Sequence, residues 1–156
     1  MTMVDVIVED SRWVDLDRWA QIAVPATLSA VDVPADCEVA VLGCDDAHIA
    51  VLNADFRGKA TPTNVLSWPS ESRVPGQAPS DPELGDIAIA WDTCAREAAE
   101  QGKPLEAHVI HLLIHATLHL LGHDHLEDGE AARMEMIEIC ILRGLGFPDP
   151  YNSDTV

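Results

Sequence analysis

Six of the seven histidines, His108, His111, His115, His119, His123 and His125, fall within eighteen consecutive residues, a density that an ordinary soluble core does not need. A neutral imidazole offers one ring nitrogen as a metal ligand. Residues four apart on a helix share a face, so His115 and His119 can aim their rings at one ion. Gly122 follows three residues later and permits a sharp turn that carries His125 back towards the same point. Three neutral imidazoles with a fourth position open make a catalytic zinc-type site. A fourth ligand from Asp124 or His123 would close it into a structural one, but structural zinc sites favour cysteine and none is nearby. His111 lies one turn before His115, yet imidazoles from His111 to His119 along one straight helix span about 12 Å, too far for a single ion. His111 and His108 are therefore expected around the ligands or in the core, and the isolated His48 is expected to be structural.

The interval His115-x3-His119-x2-Gly122-x2-His125 has the spacing of the metzincin metalloprotease motif. In that motif the general base is a glutamate directly after the first histidine, and here that position is Ala116. Peptide hydrolysis by that route loses its base. A metal still lowers the pKa of bound water and polarises a phosphoryl or carbonyl oxygen, so hydrolysis of another substrate stays feasible. Asp124, between His123 and His125, is the candidate to orient a ligand or accept a proton; as a preferred turn former it has an equally good role in closing the turn.

The elements that must position these groups are legible as periodicities. Val4, Val6 and Val8 alternate with Asp5, Ile7 and Glu9 and predict a first strand. From Asp15 the apolar residues recur at helical spacing, with Pro25 expected to kink or interrupt the helix. Glu38 to Leu42 reads as a second strand, after which Asp45-Asp46 cap a short helix to about Asn53. Pro62 to Trp68 reads as a strand whose leading proline suits an edge. Pro69 to Glu83 holds four of the ten prolines and predicts a long exposed loop. Leu84 to Ala90 is another strand, Asp92 to Gln101 a helix closed by Gly102, and Leu105 to Leu121 the histidine-bearing helix, opened by Pro104 and ended by Gly122. A last helix starts near Asp128, carries Met134, Ile137, Ile141 and Leu145 on one face, and stops around Gly144 to Gly146. This interleaving predicts one α/β (α+β) domain over residues 1–156, with a small mixed sheet of about four strands packed against about five helices.

At 156 residues with 47% hydrophobic and 23% charged side chains, the chain suits a single globular domain and excludes disorder and coiled coil. Its longest apolar stretches fall short of a membrane span, and its acidic N-terminus lacks the pattern of a secretory signal, so a cytoplasmic protein with no membrane partner is expected. Twenty-seven acidic against nine basic residues leave a net charge of −18, which repels a polyanion from most of the surface. The segment Arg57 to Arg73 is the exception: Arg57, Lys59 and Arg73 against Glu71 alone leave it locally positive. Any phosphate contact is expected there. The four cysteines are scattered without a CxxC pair and predict reduced thiols with no chemical role.

At the level of motifs, His115-Ala-Thr-Leu-His119-Leu-Leu-Gly-His-Asp-His125 resembles the H-G-x-L-H-L-x-G-[Y/H]-D-H signature of the YbeY family of rRNA-maturation endoribonucleases. Phe56-Arg57-Gly-Lys59-Ala-Thr-Pro-Thr-Asn-Val-Leu-Ser67 is similar to that family's Y-R-x-K-D-x-P-T-[ND]-V-L-S segment, and Leu84-Gly-Asp-Ile87 and Leu145-Gly-Phe-Pro-Asp-Pro-Tyr151 extend the likeness. The resemblance covers roughly Asn53 to Tyr151. It implies a YbeY-like domain with one zinc ion, or nickel or another divalent metal, on His115, His119 and His125. It also implies single-strand-specific cleavage in 3′-end maturation of 16S rRNA and in ribosome quality control. Arg57 would be the functional arginine near the metal, where a guanidinium can pair two phosphate oxygens. Lys59 and Arg73 are weaker candidates for the RNA backbone. Ala116 and Ala60 depart from the family's usual Gly or Ser and acidic residue. With so acidic a surface, the expected partners besides single-stranded rRNA are the small ribosomal subunit and its associated proteins, which would supply much of the specificity. The competing readings are a metal-stabilised assembly factor without catalysis and a metal-dependent hydrolase of another substrate.

Overall fold

The computed structural model describes residues 2–33, 36–75, 79, 81–124 and 128–151. Among these, four strands and five helices follow one another as β1 (Met3–Val8), α1 (Leu16–Ala30), β2 (Glu38–Cys44), α2 (Asp46–Arg57), β3 (Val65–Pro69), β4 (Glu83–Ala90), α3 (Trp91–Gln101), α4 (Leu105–Leu120) and α5 (Asp128–Gly144). The strands form one sheet in the order β1-β2-β4-β3. β1, β2 and β4 are parallel, and β3 runs antiparallel along the outer side of β4. The expected mixed α/β architecture is the one observed, and the strand expected over Pro62 to Trp68 lies at the edge but begins only at Val65.

Alternation sorts the strand residues between two layers. Val39 and Val41 of β2 join Ile87 and Ile89 of β4 in the main core, with Leu16, Trp19, Leu28, Ile110, Leu113, Ile114 and Met134 from α1, α4 and α5. Leu66, Ala88, Ala90 and Cys44 face the other way and pack with Ile49 of α2. One irregularity matters. Glu38 pairs with Glu83 but Val39 pairs with Gly85, so Leu84 is an extra residue in β4, and this bulge turns Leu84 into the same core as Ile87 and Ile89. Gly85 sits there at φ 142°, where an added Cβ would lie 2.1 Å from the Trp68 carbonyl oxygen; only glycine lets β3 come this close. The Leu-Gly-Asp-Ile block is thus a device that seats the edge strand.

Two expectations are corrected. α1 runs unbroken through Pro25, because Trp19, Ala20, Ala23 and Val24 before it and Thr27 and Leu28 after it form one buried stripe, and that packing outweighs the missing hydrogen bond. α2 continues past Asn53 to Arg57, where Gly58 caps it in the left-handed conformation at φ 73°. Its start is as expected: the Asp45 side chain accepts a hydrogen bond from the His48 N–H at 2.8 Å. No helix among the described residues is long and apolar enough to cross a membrane.

Candidate metal centre and its cleft

α4 is apolar nearly all round and lies buried among α1, α3, α5 and the sheet. Besides Glu106 in its first turn and Thr117, its polar residues are the histidines. His115 and His119, one turn apart, bring their Nε2 atoms to 3.0 Å. His115 Nδ1 lies 2.8 Å from Glu138 Oε2 on α5, and His111 Nε2 lies 2.6 Å from Glu138 Oε1. The Tyr151 hydroxyl donates to the same Oε1 and stands 3.1 Å from His111 Nε2. Glu138 is fully buried. Burial by itself raises its carboxyl, but hydrogen bonds from His111, His115 and Tyr151 together prevail and hold it at about 2. An ionised carboxylate only accepts, so His115 carries its proton on Nδ1 and turns an Nε2 lone pair towards His119. Burial, reinforced by the Glu138 charge, pushes the Tyr151 phenol well up, so it remains a donor.

This donor set fits a divalent metal. Two zinc-bound imidazole nitrogens, each about 2.0–2.1 Å from a tetrahedral ion, lie roughly 3.3 Å apart, close to the separation observed, and the proton on the far nitrogen of His115 is where a ligand histidine keeps it. Among the described residues no group of three or more His, Cys, Asp and Glu gathers for a metal; His125, the third expected ligand, lies outside them. Asp124 is half-buried in the segment after α4, where burial lowers the pKa of the neighbouring His123.

Gly122 ends α4 at φ 97°, and an added Cβ would meet the Arg73 carbonyl oxygen at 2.2 Å. The glycine of the histidine motif is therefore required both for its turn and for the chain that crosses it. That chain is held by Arg73 itself, which donates to the carbonyls of Leu84 and Leu120 at 2.9 Å each and to Ser70 Oγ at 2.8 Å. Its side chain is 4% exposed. Arg73 thus caps the end of α4 and is withdrawn from solvent, which corrects its expected role as a phosphate contact.

Arg57, exposed in the last turn of α2, lines a cleft of about 250 Å³ together with Asn64, Ser67, His115, His119 and Tyr151. Asn53 makes this possible: buried, it donates to the Thr61 carbonyl at 2.9 Å and folds the connection to β3 back against α2. Asn64 is fixed in turn, donating to Glu97 Oε1 at 3.0 Å while its own oxygen accepts from the Val65 N–H at 2.7 Å. Glu97 also accepts from His108 Nε2 at 2.9 Å. His111 thus shares Glu138 with His115, His108 is buried against Glu97, and His48 pairs with Glu9 far along the chain. A larger groove between α1 and α5 is apolar and has no histidine in its lining. The cysteines are free, and burial pushes the Cys44 thiol up to about 12, which suits no nucleophile.

Glu138, Glu97 and Tyr151 were not anticipated. Glu138 did leave a trace, since it falls on the stripe of Met134, Ile141 and Leu142 that α5 buries, where a lone acid requires partners.

Fold and site together define a small α/β domain that presents two imidazoles from one buried helix in a polar cleft with an arginine at its mouth. The chain belongs to the YbeY family: the family model described as "Endoribonuclease YbeY" matches residues 7–146. Proteins with that name from Dinoroseobacter shibae and Cereibacter sphaeroides are 55% and 54% identical to it, over 98% and 96% of this chain and 92% and 98% of theirs. A solution structure from Thermotoga maritima shares the fold at 21% identity with a TM-score of 0.58, covering 97% of this chain and 99% of that one.

Proposed function

We propose that the whole chain, residues 1–156, is one metal-dependent endoribonuclease domain that cleaves single-stranded RNA in the cytoplasm, in 3′-end maturation of 16S rRNA and ribosome quality control. The observation that carries this is the His115–His119 pair, with the tautomer of His115 set by Glu138, facing a cleft that Arg57 borders; the names of the relatives point the same way. His115, His119 and His125 would hold one ion, zinc or nickel. When bound, it supplies Lewis acidity towards a phosphoryl oxygen. Arg57 pairs the phosphate oxygens and offsets charge that develops on them. Asp124 is the candidate proton acceptor. The small ribosomal subunit and its proteins bring the substrate to an otherwise acidic molecule.

The test is cleavage of a labelled single-stranded RNA by zinc-loaded protein, beside chelated protein and His119→Ala, with circular dichroism as the fold control. Cleavage lost in both controls with the fold retained supports the nuclease. No cleavage above the His119→Ala background, even on small ribosomal subunits, overturns it in favour of a metal-stabilised assembly factor.

A further inference from the structure

We propose that Glu138 is a positioning residue for the metal centre, braced by Tyr151 and His111, so that the C-terminal segment governs how tightly the chain holds its metal. This rests on the metal-centre reading above. Both carboxylate oxygens are committed: Oε2 takes the Nδ1 proton of His115 at 2.8 Å, and Oε1 takes protons from His111 and from the Tyr151 hydroxyl. The carboxylate can turn towards His119 only by giving up all three. A neutral imidazole has two tautomers, and only one presents Nε2 as a ligand. Glu138 selects that tautomer and fixes the plane of the ring. Tyr151 is the outermost member, with its hydroxyl reaching in and its ring packed edge-on against His111 at 5.3 Å between centroids. It lies beyond α5, so the last described residue of the chain reaches the ligand through one carboxylate.

A buried glutamate that only joined α4 to α5 would be felt in stability and leave the ligand alone. The experiment measures zinc affinity by chelator competition, and the His115 tautomer by ¹⁵N NMR of the metal-free protein, in wild type, Glu138→Gln and Tyr151→Phe. Neither readout involves RNA, so failure of the nuclease reading leaves this result standing. Glu138→Gln is expected to weaken zinc binding roughly 10–100-fold and to mix the two tautomers, and Tyr151→Phe to weaken it about 2–10-fold, as loss of one supporting hydrogen bond implies. Folded variants with wild-type affinity and tautomer would overturn the proposal. If Glu138→Gln does not fold, Tyr151→Phe, altered at a part-exposed site, decides alone. A wild-type chain that takes up no zinc overturns the metal-centre reading and this proposal with it.

Discussion

Arg57 and Arg73 lie sixteen residues apart in a locally basic segment, and the structure sends them in opposite directions. Arg57 stays exposed at the mouth of the cleft with the two histidines behind it. Arg57→Ala should slow RNA cleavage roughly 100–1000-fold and leave stability within about 0.5 kcal/mol; Arg57→Lys should recover only part of the rate, because an ammonium cannot pair two oxygens. Cleavage rates beside urea midpoints check both. Arg73→Ala should instead cost about 3–5 kcal/mol, since hydrogen bonds to charged groups contribute about 1.5–3 kcal/mol each and the carbonyls of Leu84 and Leu120 lose their donor. A loss smaller than about 1 kcal/mol in urea unfolding would refute that role. Composition reads both arginines as the same charge. What separates them is whether carbonyl oxygens from distant parts of the chain converge on the guanidinium, and spacing does not encode that.

α1 shows how packing overrides a local rule. Proline in a helix interior costs roughly 3 kcal/mol relative to alanine and returns up to about 1 kcal/mol by stiffening the unfolded chain. Pro25→Ala should therefore stabilise the protein by about 2 kcal/mol, read from the urea midpoint; destabilisation would mean that the proline ring is itself packed usefully. α2 and α3 carry a device that periodicity does not reveal. Asp92 Oδ2 accepts the Asp46 N–H at 3.1 Å while Asp46 Oδ1 accepts the N–H and hydroxyl of Thr93 at 2.9 and 2.8 Å, so each helix start is capped by the other. Asp46→Ala should cost about 1–2 kcal/mol in thermal or urea unfolding. The helices and strands themselves were legible because alternation and helical spacing are local. The reciprocal caps, like the contact of Glu138 with His115, join residues far apart in sequence and await the fold.

On the scale of the whole molecule, a net charge of −18 makes the chain repel itself, and the few arginines hold key seams. Arg12 bridges Asp10 at 2.6 Å and Asp92 at 2.8 Å. Hydrogen bonds from Arg12 hold the Asp10 carboxyl at about 2, below its ordinary 3.8. A depressed carboxyl stabilises the fold fully above its unfolded value and loses that contribution as pH falls through the folded one. Arg12→Ala should therefore lower the thermal midpoint at pH 7, with the gap to wild type closing between about pH 4 and pH 2. A gap that persists at pH 2 would show that the side chain acts through packing alone. Strand order stayed outside the reach of sequence because β2 skips its successor β3 to pair with β4. The closeness of His115 and His119 was within reach because both histidines stand on one helix. The third position of the set, His125, lies outside the described residues.

The hydrogen bond from Tyr151 to Glu138 also imposes an order in time. A chain emerging during synthesis gains its ordered parts from the N-terminus onward, so β1, α1, β2 and α2 appear well before α4. The carboxylate that sets His115 follows later still, on α5, and the phenol that braces it comes after that helix. An incomplete chain has the two imidazoles without their braced partner and, in the reading proposed above, holds metal poorly. Competence to bind metal, and any nuclease activity that follows from it, would then arrive only after Tyr151 has been added and has reached Glu138.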